Sequence, residues 1–332
     1  MDRPLVALVM AGGTGTRLYP ASRSDRPKQF LPLGDGDASL LADTVSRAGF
    51  ADETFVCTAP EHEARVREHA PTAGVLVEPE PKDTGPALVY AAHRIREQVG
   101  DCALVCLPSD HHVAGEFAPT ARRAAEVAVD TAGLVTVGVE PTRPATGYGY
   151  VEPGADRGDH FEVAQFREKP DAETAERLVE RGCYWNAGLF AWTPSAFLRE
   201  ARDSPLAPLV ERLDAGEPDA GFAAVDPVSV DYAVLERTDD VYVVPAAFEW
   251  DDLGSWDALE RVRRSDGENV VLGDALTVDA EGNVVAGDHH VSLVGVSDLV
   301  VAAYDDRVLV VPKEEAQRVR EVVTRLREDD RF

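Results

Sequence analysis

The chain has 332 residues, 44% of them hydrophobic, which suits one large α/β domain with an appendage or two domains of ordinary size. Sixty acidic against 33 basic residues give a formal net charge of -27, so the surface repels phosphate backbones and anionic lipid, arguing against nucleic-acid or membrane-surface binding. Only four residues are lysines (Lys28, Lys82, Lys169, Lys313), an acid-rich, lysine-poor exterior of the kind high salt favours; codon bias in a GC-rich genome is the alternative source.

At the N-terminus the apolar stretch 5–11 runs straight into glycines. It is too short for a membrane span and lacks a signal-peptide cleavage pattern, so a cytoplasmic protein is expected. Apolar β-rich runs at 5–10, 54–58, 74–77, 103–107 and 134–137 alternate with helical spacing at 61–69, 85–99 and 119–129. That alternation predicts an α/β fold with a mostly parallel sheet, in which ligands bind beyond the carboxyl ends of the strands. Cys102 and Cys106 sit four apart, which puts both thiols on one face of a buried strand; with Cys57 and Cys183 they show neither zinc spacing nor a disulfide framework. From about residue 266 the texture changes to short strands at 269–272, 275–278, 283–286, 290–294, 299–303 and 307–311. No helix fits in the gaps, so a small all-β appendage of stacked strands is expected at 266–332, after a body at 1–265. Residues 313–327 close the chain with amphipathic helical spacing and should pack back on the body or on a second subunit.

The strongest local feature follows the first strand: Gly12-Gly13-Thr14-Gly15-Thr16-Arg17-Leu18, then Pro27-Lys28-Gln29-Phe30. A glycine-rich turn lets backbone N–H groups approach phosphate oxygens, and Arg17 and Lys28 add positive charge at the same strand end. A Rossmann fingerprint would want glycine where Leu18 stands, and a Walker loop would want Gly-Lys-Ser/Thr where Gly15-Thr16-Arg17 stands. The bland alternative is a tight βα turn that merely needs glycine.

With its Gly-Gly-x-Gly-x-Arg-Leu loop followed by Pro-Lys, the sequence resembles the sugar-1-phosphate nucleotidyltransferases. Gln29-Phe30 points to the branch that makes GDP-mannose from GTP and mannose 1-phosphate. The resemblance implies a Rossmann-like nucleotidyltransferase domain with a mixed, mostly parallel sheet, a short C-terminal left-handed β-helix-like piece and a final helix. It covers essentially the whole chain. Nucleotide contacts are expected from Ala11, Gly12, Gly13, Gly15, Thr16, Arg17, Lys28, Glu78, Thr84, Ser109 and Asp110.

Asp110, in Leu107-Pro108-Ser109-Asp110-His111, directly follows an apolar strand, where a Mg²⁺ bridging nucleotide phosphates would sit; a helix or turn cap is the plainer alternative. His111 and His112 suit structural roles, because exchange between phosphates needs no proton abstraction. Gly147-Tyr148-Gly149-Tyr150 lets main chain pass close to a sugar ring, Glu168 can accept from hydroxyls, and Lys169 can meet a phosphate. Trp185-Asn186-Ala187-Gly188 supplies an amide among small residues. The resemblance makes Gly147, Tyr148, Gly149, Glu168, Lys169, Asn186 and Gly188 the sugar-phosphate contacts. In Trp250-Asp251-Asp252-Leu253-Gly254-Ser255-Trp256 the family pattern selects Asp252 over Asp251 as the second Mg²⁺ carboxylate beside Asp110; a cap on a helix near Ser255 is the alternative.

The expected catalytic set is therefore Arg17, Lys28, Asp110 and Asp252. Lys82-Asp83 and Gly85 depart from the family's Arg-Asn and Ala near the nucleotide, which leaves UTP or dTTP with glucose 1-phosphate as an alternative pair. A non-catalytic, sugar-nucleotide-binding regulatory subunit is a further alternative, and a homodimer is expected from the β-rich tail and final helix.

Overall fold

The computed structural model describes residues 3–13, 15–34, 36–263, 269–329 and 331–332. Thr14 of the glycine turn lies outside the described residues, as does the expected boundary at 265/266. The chain forms two compact units: Met1–Gly12, Thr44–Ser109 and Val113–Trp250 make the first, and Gly13–Asp43, Asp110–His112 and Asp251–Phe332 the second.

The strands before the tail are β1 (Leu5–Met10), β2 (Glu53–Thr58), β3 (Gly74–Val77), β4 (Ala103–Pro108), β5 (His112–Gly115), β6 (Leu134–Val139), β7 (Tyr150–Asp156), β8 (Phe161–Arg167), β9 (Tyr184–Trp192), β10 (Val241–Pro245) and β11 (Phe248–Asp251). Of these, β5 and β11 pair as a separate two-stranded ribbon. The first unit is built on the other nine, in the order β3-β2-β1-β4-β9-β6-β10-β8-β7, parallel through β3-β2-β1-β4 and again at β6-β10, with β9 running antiparallel between β4 and β6. Period-2 alternation in β1 sends Val6 and Leu8 to one face, where they join Leu88 and Ile95 of the helix Thr84–Val99 and Phe197 of the helix Pro194–Arg202 in a single buried cluster. Cys102 and Cys106 belong to that same cluster, as their spacing predicts. The helix Phe117–Thr131 lies against β4, β6 and β9.

Register fixes what happens at the carboxyl edge. Met10 pairs with Cys57 on one side and Pro108 on the other, so β1, β2 and β4 end side by side. Ala11 N donates to Cys57 O at 2.8 Å, Thr58 Oγ1 to Ala11 O at 3.0 Å, Glu78 N to Thr58 O at 3.0 Å and Ser109 N to Met10 O at 3.1 Å. Those bonds continue the ladder past the strands and gather Ala11, Thr58, Glu78 and Ser109 on one edge.

In the second unit, β12 (Val270–Leu272), β14 (Val284–Gly287) and β16 (Leu299–Tyr304) stack in parallel, β17 (Arg307–Pro312) closes antiparallel on β16, and β13 (Ala275–Val278) pairs with β15 (Val291–Val294). This is the β-rich tail expected from the sequence, each strand close to its predicted ends. Asn283, 1% exposed, holds one corner of the stack: its amide nitrogen donates to Glu281 O and Val296 O while its oxygen accepts from Leu299 N. The final segment turns as a 3-10 helix, Lys313–Arg318, and continues as an α-helix, Val319–Glu328. It packs back on its own unit, with Ala316, Val319 and Val323 in one cluster with Leu18, Trp256 and Val300.

Val323→Ala removes buried methyls from that cluster and should lower stability by about 2 kcal/mol in urea denaturation. Val322, 41% exposed one position earlier, should tolerate the same change within about 0.5 kcal/mol.

Candidate active site

Within the second unit one nitrogen gathers several segments. Lys28 opens a 3-10 turn, Lys28–Phe30, entered through Pro27, and its side chain is buried at 3% exposure. Its Nζ donates to Asp110 Oδ2 at 2.9 Å and to the main-chain carbonyl of Asp252 at 2.6 Å. A buried ammonium requires such partners, because desolvating it unpaired is costly. Burial pushes the Asp110 carboxyl up, but the Lys28 ammonium and His111 outweigh it and hold the group below its ordinary range. His111 is itself pushed down by burial, against the pull of Asp110. Gly15 makes the approach possible: it sits at φ 63°, and a Cβ there would stand 2.4 Å from Lys28 Cβ.

The turn after β11 separates two neighbouring carboxylates. Asp251, 7% exposed, accepts from Leu253 N at 2.9 Å and from Arg261 Nε at 2.9 Å, a structural anchor. Asp252 Oδ1 accepts from Gly254 N at 3.0 Å, across a Leu253 held at φ 45°. The helix that follows spans Ala258–Arg263, so Asp252 closes a tight turn and does not cap a helix starting near Ser255. Thr16 and Arg17 lie in the 3-10 turn Thr16–Leu18, and Arg17 Nη1 donates to Gln317 Oε1 at 3.2 Å.

At the carboxyl edge of the first unit, Gly12 is exposed and Glu78 is buried at 3% exposure. Glu78 Oε1 lies 3.5 Å from where a Cβ on Gly12 would stand, and its Oε2 has no hydrogen-bond partner among the described residues. Burial, with Glu61 adding to it, pushes the carboxyl up to about 7. Ser109 is buried beside β1, and the Thr84 hydroxyl accepts from Val230 N at 3.0 Å. Lys82 donates to Phe222 O at 2.8 Å and Val225 O at 3.1 Å, so this departure from the family pattern serves as an internal latch.

A second polar cluster of the first unit collects Gly149, Glu168, Lys169 and Asn186. Lys169, at φ 43°, donates to Glu168 Oε1 at 2.5 Å. A Cβ on Gly149 would stand 2.4 Å from Glu168 Oε2, so any side chain there would displace the Glu168 carboxylate. The Asn186 amide is engaged on three sides: its oxygen accepts from Thr136 Oγ1 at 2.8 Å and Gly188 N at 3.1 Å, and its nitrogen donates to Asp231 Oδ1 at 2.9 Å. Gly147 is exposed, while Tyr148 packs edge-on against Trp185 and Trp250, with centroids 5.0 and 5.1 Å away.

Asp231 is the residue that sequence reasoning missed. It opens a π-helical turn, Asp231–Leu235, and burial next to Glu168 pushes its carboxyl up to about 6. No glycine or strand end marks it; an acid following the apolar Val230 was the only available signal.

Gly15→Ala should cost at least about 2 kcal/mol in urea denaturation, from the left-handed backbone and the collision with Lys28 together. Gly36→Ala, where a Cβ would meet nothing within 4 Å, should stay within about 0.5 kcal/mol.

Comparison with known proteins adds the family. Residues 6–269 match the family model described as nucleotidyl transferase, and residues 273–326 match that of the MannoseP isomerase/GMP-like β-helix domain. The xanthan biosynthesis protein XanB of Xanthomonas campestris pv. campestris (strain B100) is 37% identical over 97% of this chain and 73% of its own length. The mannose-1-phosphate guanylyltransferase ManC of Salmonella typhimurium is 37% identical over 98% of this chain and 74% of its own. A crystal structure from Thermus thermophilus, described as a mannose-1-phosphate geranyltransferase, superposes with a TM-score of 0.90 at 39% identity, covering 98% of this chain and 99% of that one. The chain belongs to the nucleotidyl transferase family, in the group of mannose-1-phosphate guanylyltransferases that carry the ManC-type β-helix domain.

Proposed function

We propose that the protein transfers a guanylyl group from GTP to α-D-mannose 1-phosphate, giving GDP-mannose and pyrophosphate. A phosphate oxygen of the sugar phosphate attacks the α-phosphorus in line; the bond from that phosphorus to the bridging oxygen of the β-phosphate breaks, and pyrophosphate leaves without a covalent enzyme intermediate. Two anions must meet, so charge neutralisation and alignment dominate the catalytic problem. The observation that carries this reading is the buried Lys28 ammonium shared between the Asp110 carboxylate and the Asp252 carbonyl, fixed positive charge beside two acids at the end of the glycine turn.

Arg17 and Lys28 are assigned to the triphosphate and the departing pyrophosphate. Lys169 would align the attacking phosphate, and Glu168 with Asp231 would accept from sugar hydroxyls. Asp110 and Asp252 are the residues that would hold Mg²⁺. Both offer hard carboxylate oxygens, and the Lys28 ammonium ties the Asp110 carboxylate to the main chain of Asp252. Among the described residues no three or more His, Cys, Asp or Glu side chains gather as a complete metal site, so phosphate oxygens would have to complete the shell of such an ion. When bound, the ion supplies further neutralisation of the phosphate charge.

Glu78 supports guanine as the base. A buried carboxylate short of donors is complementary to the N1–H and N2–H₂ pair on guanine's Watson–Crick edge; adenine, uracil and thymine do not present two adjacent donors there. The acid-rich, lysine-poor composition supports an enzyme that works at high salt inside the cell. None of the helices among the described residues is long and apolar enough to cross a membrane. A homodimer belongs to the same proposal, with exposed Leu276, Val278, Val294, Val308 and Val310 offering apolar surface for it.

A matrix of four nucleoside triphosphates against mannose and glucose 1-phosphates, run at molar salt with pyrophosphate release as readout, tests the substrates; preference for UTP or dTTP with glucose 1-phosphate would overturn them. Asp110→Asn and Lys28→Ala should each leave a folded protein slowed roughly a hundredfold or more, and near-normal turnover in either would remove these role assignments. The wild type should prefer GTP over ITP, which lacks the N2 amino group, by about tenfold, and Glu78→Gln should bring that ratio close to one.

The same variant has a pH signature. The folded Glu78 carboxyl is raised above its ordinary value of 4.5 to about 7, so the folded protein binds this proton more tightly than the unfolded chain. Its contribution to stability is complete below about pH 4.5 and is lost as pH rises through 7; denaturation midpoints of Glu78→Gln should lack that decline.

A further inference from the structure

The C-terminal segment reaches the glycine turn through one side chain. Gln317, in the 3-10 turn Lys313–Arg318, accepts from Arg17 Nη1 on its Oε1 at 3.2 Å and donates from its Nε2 to Ser255 Oγ at 2.6 Å. Ser255, 2% exposed, donates in turn to Asp257 Oδ1 at 2.5 Å, and Arg261 bonds both Asp257 at 2.6 Å and Asp251 at 2.9 Å. The relay therefore ends on the carboxylate next to Asp252. The orientation of the Gln317 amide is forced, because guanidinium only donates and must face the amide oxygen. A second tie fastens the same turn, Trp256 Nε1 donating to Tyr19 O at 2.9 Å. Ala316 and Val319, either side of Gln317, are buried at 1% and 2% exposure, so the amide stands on a packed base.

The chemistry of the contact is as informative as its position. Gln317 follows Glu314 and Glu315 in a chain with 60 acidic residues, yet the group facing Arg17 is a neutral amide. An amide oxygen holds a guanidinium by one N–H without neutralising it and leaves four donors for phosphate oxygens. A carboxylate at the same place would pair with Arg17 and compete with the triphosphate. Arg17 forms no ion pair among the described residues.

We propose that Gln317 is a positioning residue, through which the C-terminal segment aims Arg17 at the triphosphate while leaving its charge available. This rests on the role proposed for Arg17. The test is a double-mutant cycle on the full chain, with kcat and KM measured for GTP and for mannose 1-phosphate in the wild type, Arg17→Ala, Gln317→Ala and the double variant. Gln317→Ala should lower kcat/KM for GTP about tenfold, leave KM for mannose 1-phosphate within twofold, and cost nothing further once Arg17 is alanine. Gln317→Glu, of the same size, should also lose about tenfold or more on GTP, and it carries the cycle if Gln317→Ala does not fold. Losses that multiply in the double variant, or wild-type GTP kinetics in Gln317→Glu, would overturn the inference while leaving the proposed reaction intact. Wild-type turnover in Arg17→Ala would instead remove the role of Arg17 and the inference with it.

Discussion

A buried ammonium is the constraint around which the second unit is arranged. Placing Lys28 at 3% exposure costs several kcal/mol unless both its charge and its donors are answered. The answer comes from residues far apart in sequence: Asp110 following β4, the Asp252 carbonyl in the turn after β11, and Gly15 yielding the space beside the lysine stem. The left-handed Leu253 is a local strain that this arrangement sustains, while Gly15 adopts its left-handed conformation freely. In the proposed reaction this arrangement would have its positive charge in place before a phosphate arrives, the preorganisation that reactions between anions require.

The same logic accounts for the scarcity of lysine. Each of the four that remain is held by an acid: Lys28 by Asp110, Lys82 by Glu80, Lys169 by Glu168, and Lys313 by Glu260 and Asp298. Lys82 also caps two main-chain carbonyls. The surface carries arginine instead, in ion pairs such as Arg67 with Glu63 and Arg318 with Glu321.

The first unit handles carboxylates in the opposite way. Burial raises the carboxyls of both Glu78 and Asp231, and Glu78 keeps one oxygen without a hydrogen-bond partner among the described residues. Asn186 illustrates the supporting role: its amide oxygen is tied to Thr136 and Gly188, and its nitrogen donates to Asp231.

Local pattern was enough for much of this protein. Alternation in 5–10, helical spacing in 85–99 and the closely spaced tail strands follow from side-chain periodicity, which is a property of neighbours in sequence. Lys28 stands out in the sequence because lysine is scarce, whereas Asp110 and Asp252 are singled out by the resemblance, with a cap as the alternative for each. Tertiary structure alone decided the rest, because it turned on which distant groups meet. The sequence could not show that Arg261 claims Asp251 and leaves Asp252 to its turn, that the Asn186 amide faces Asp231, or that Gln317 lies against Arg17. Hydrogen bonds between residues tens or hundreds of positions apart leave no periodic trace, and only the packed chain selects them.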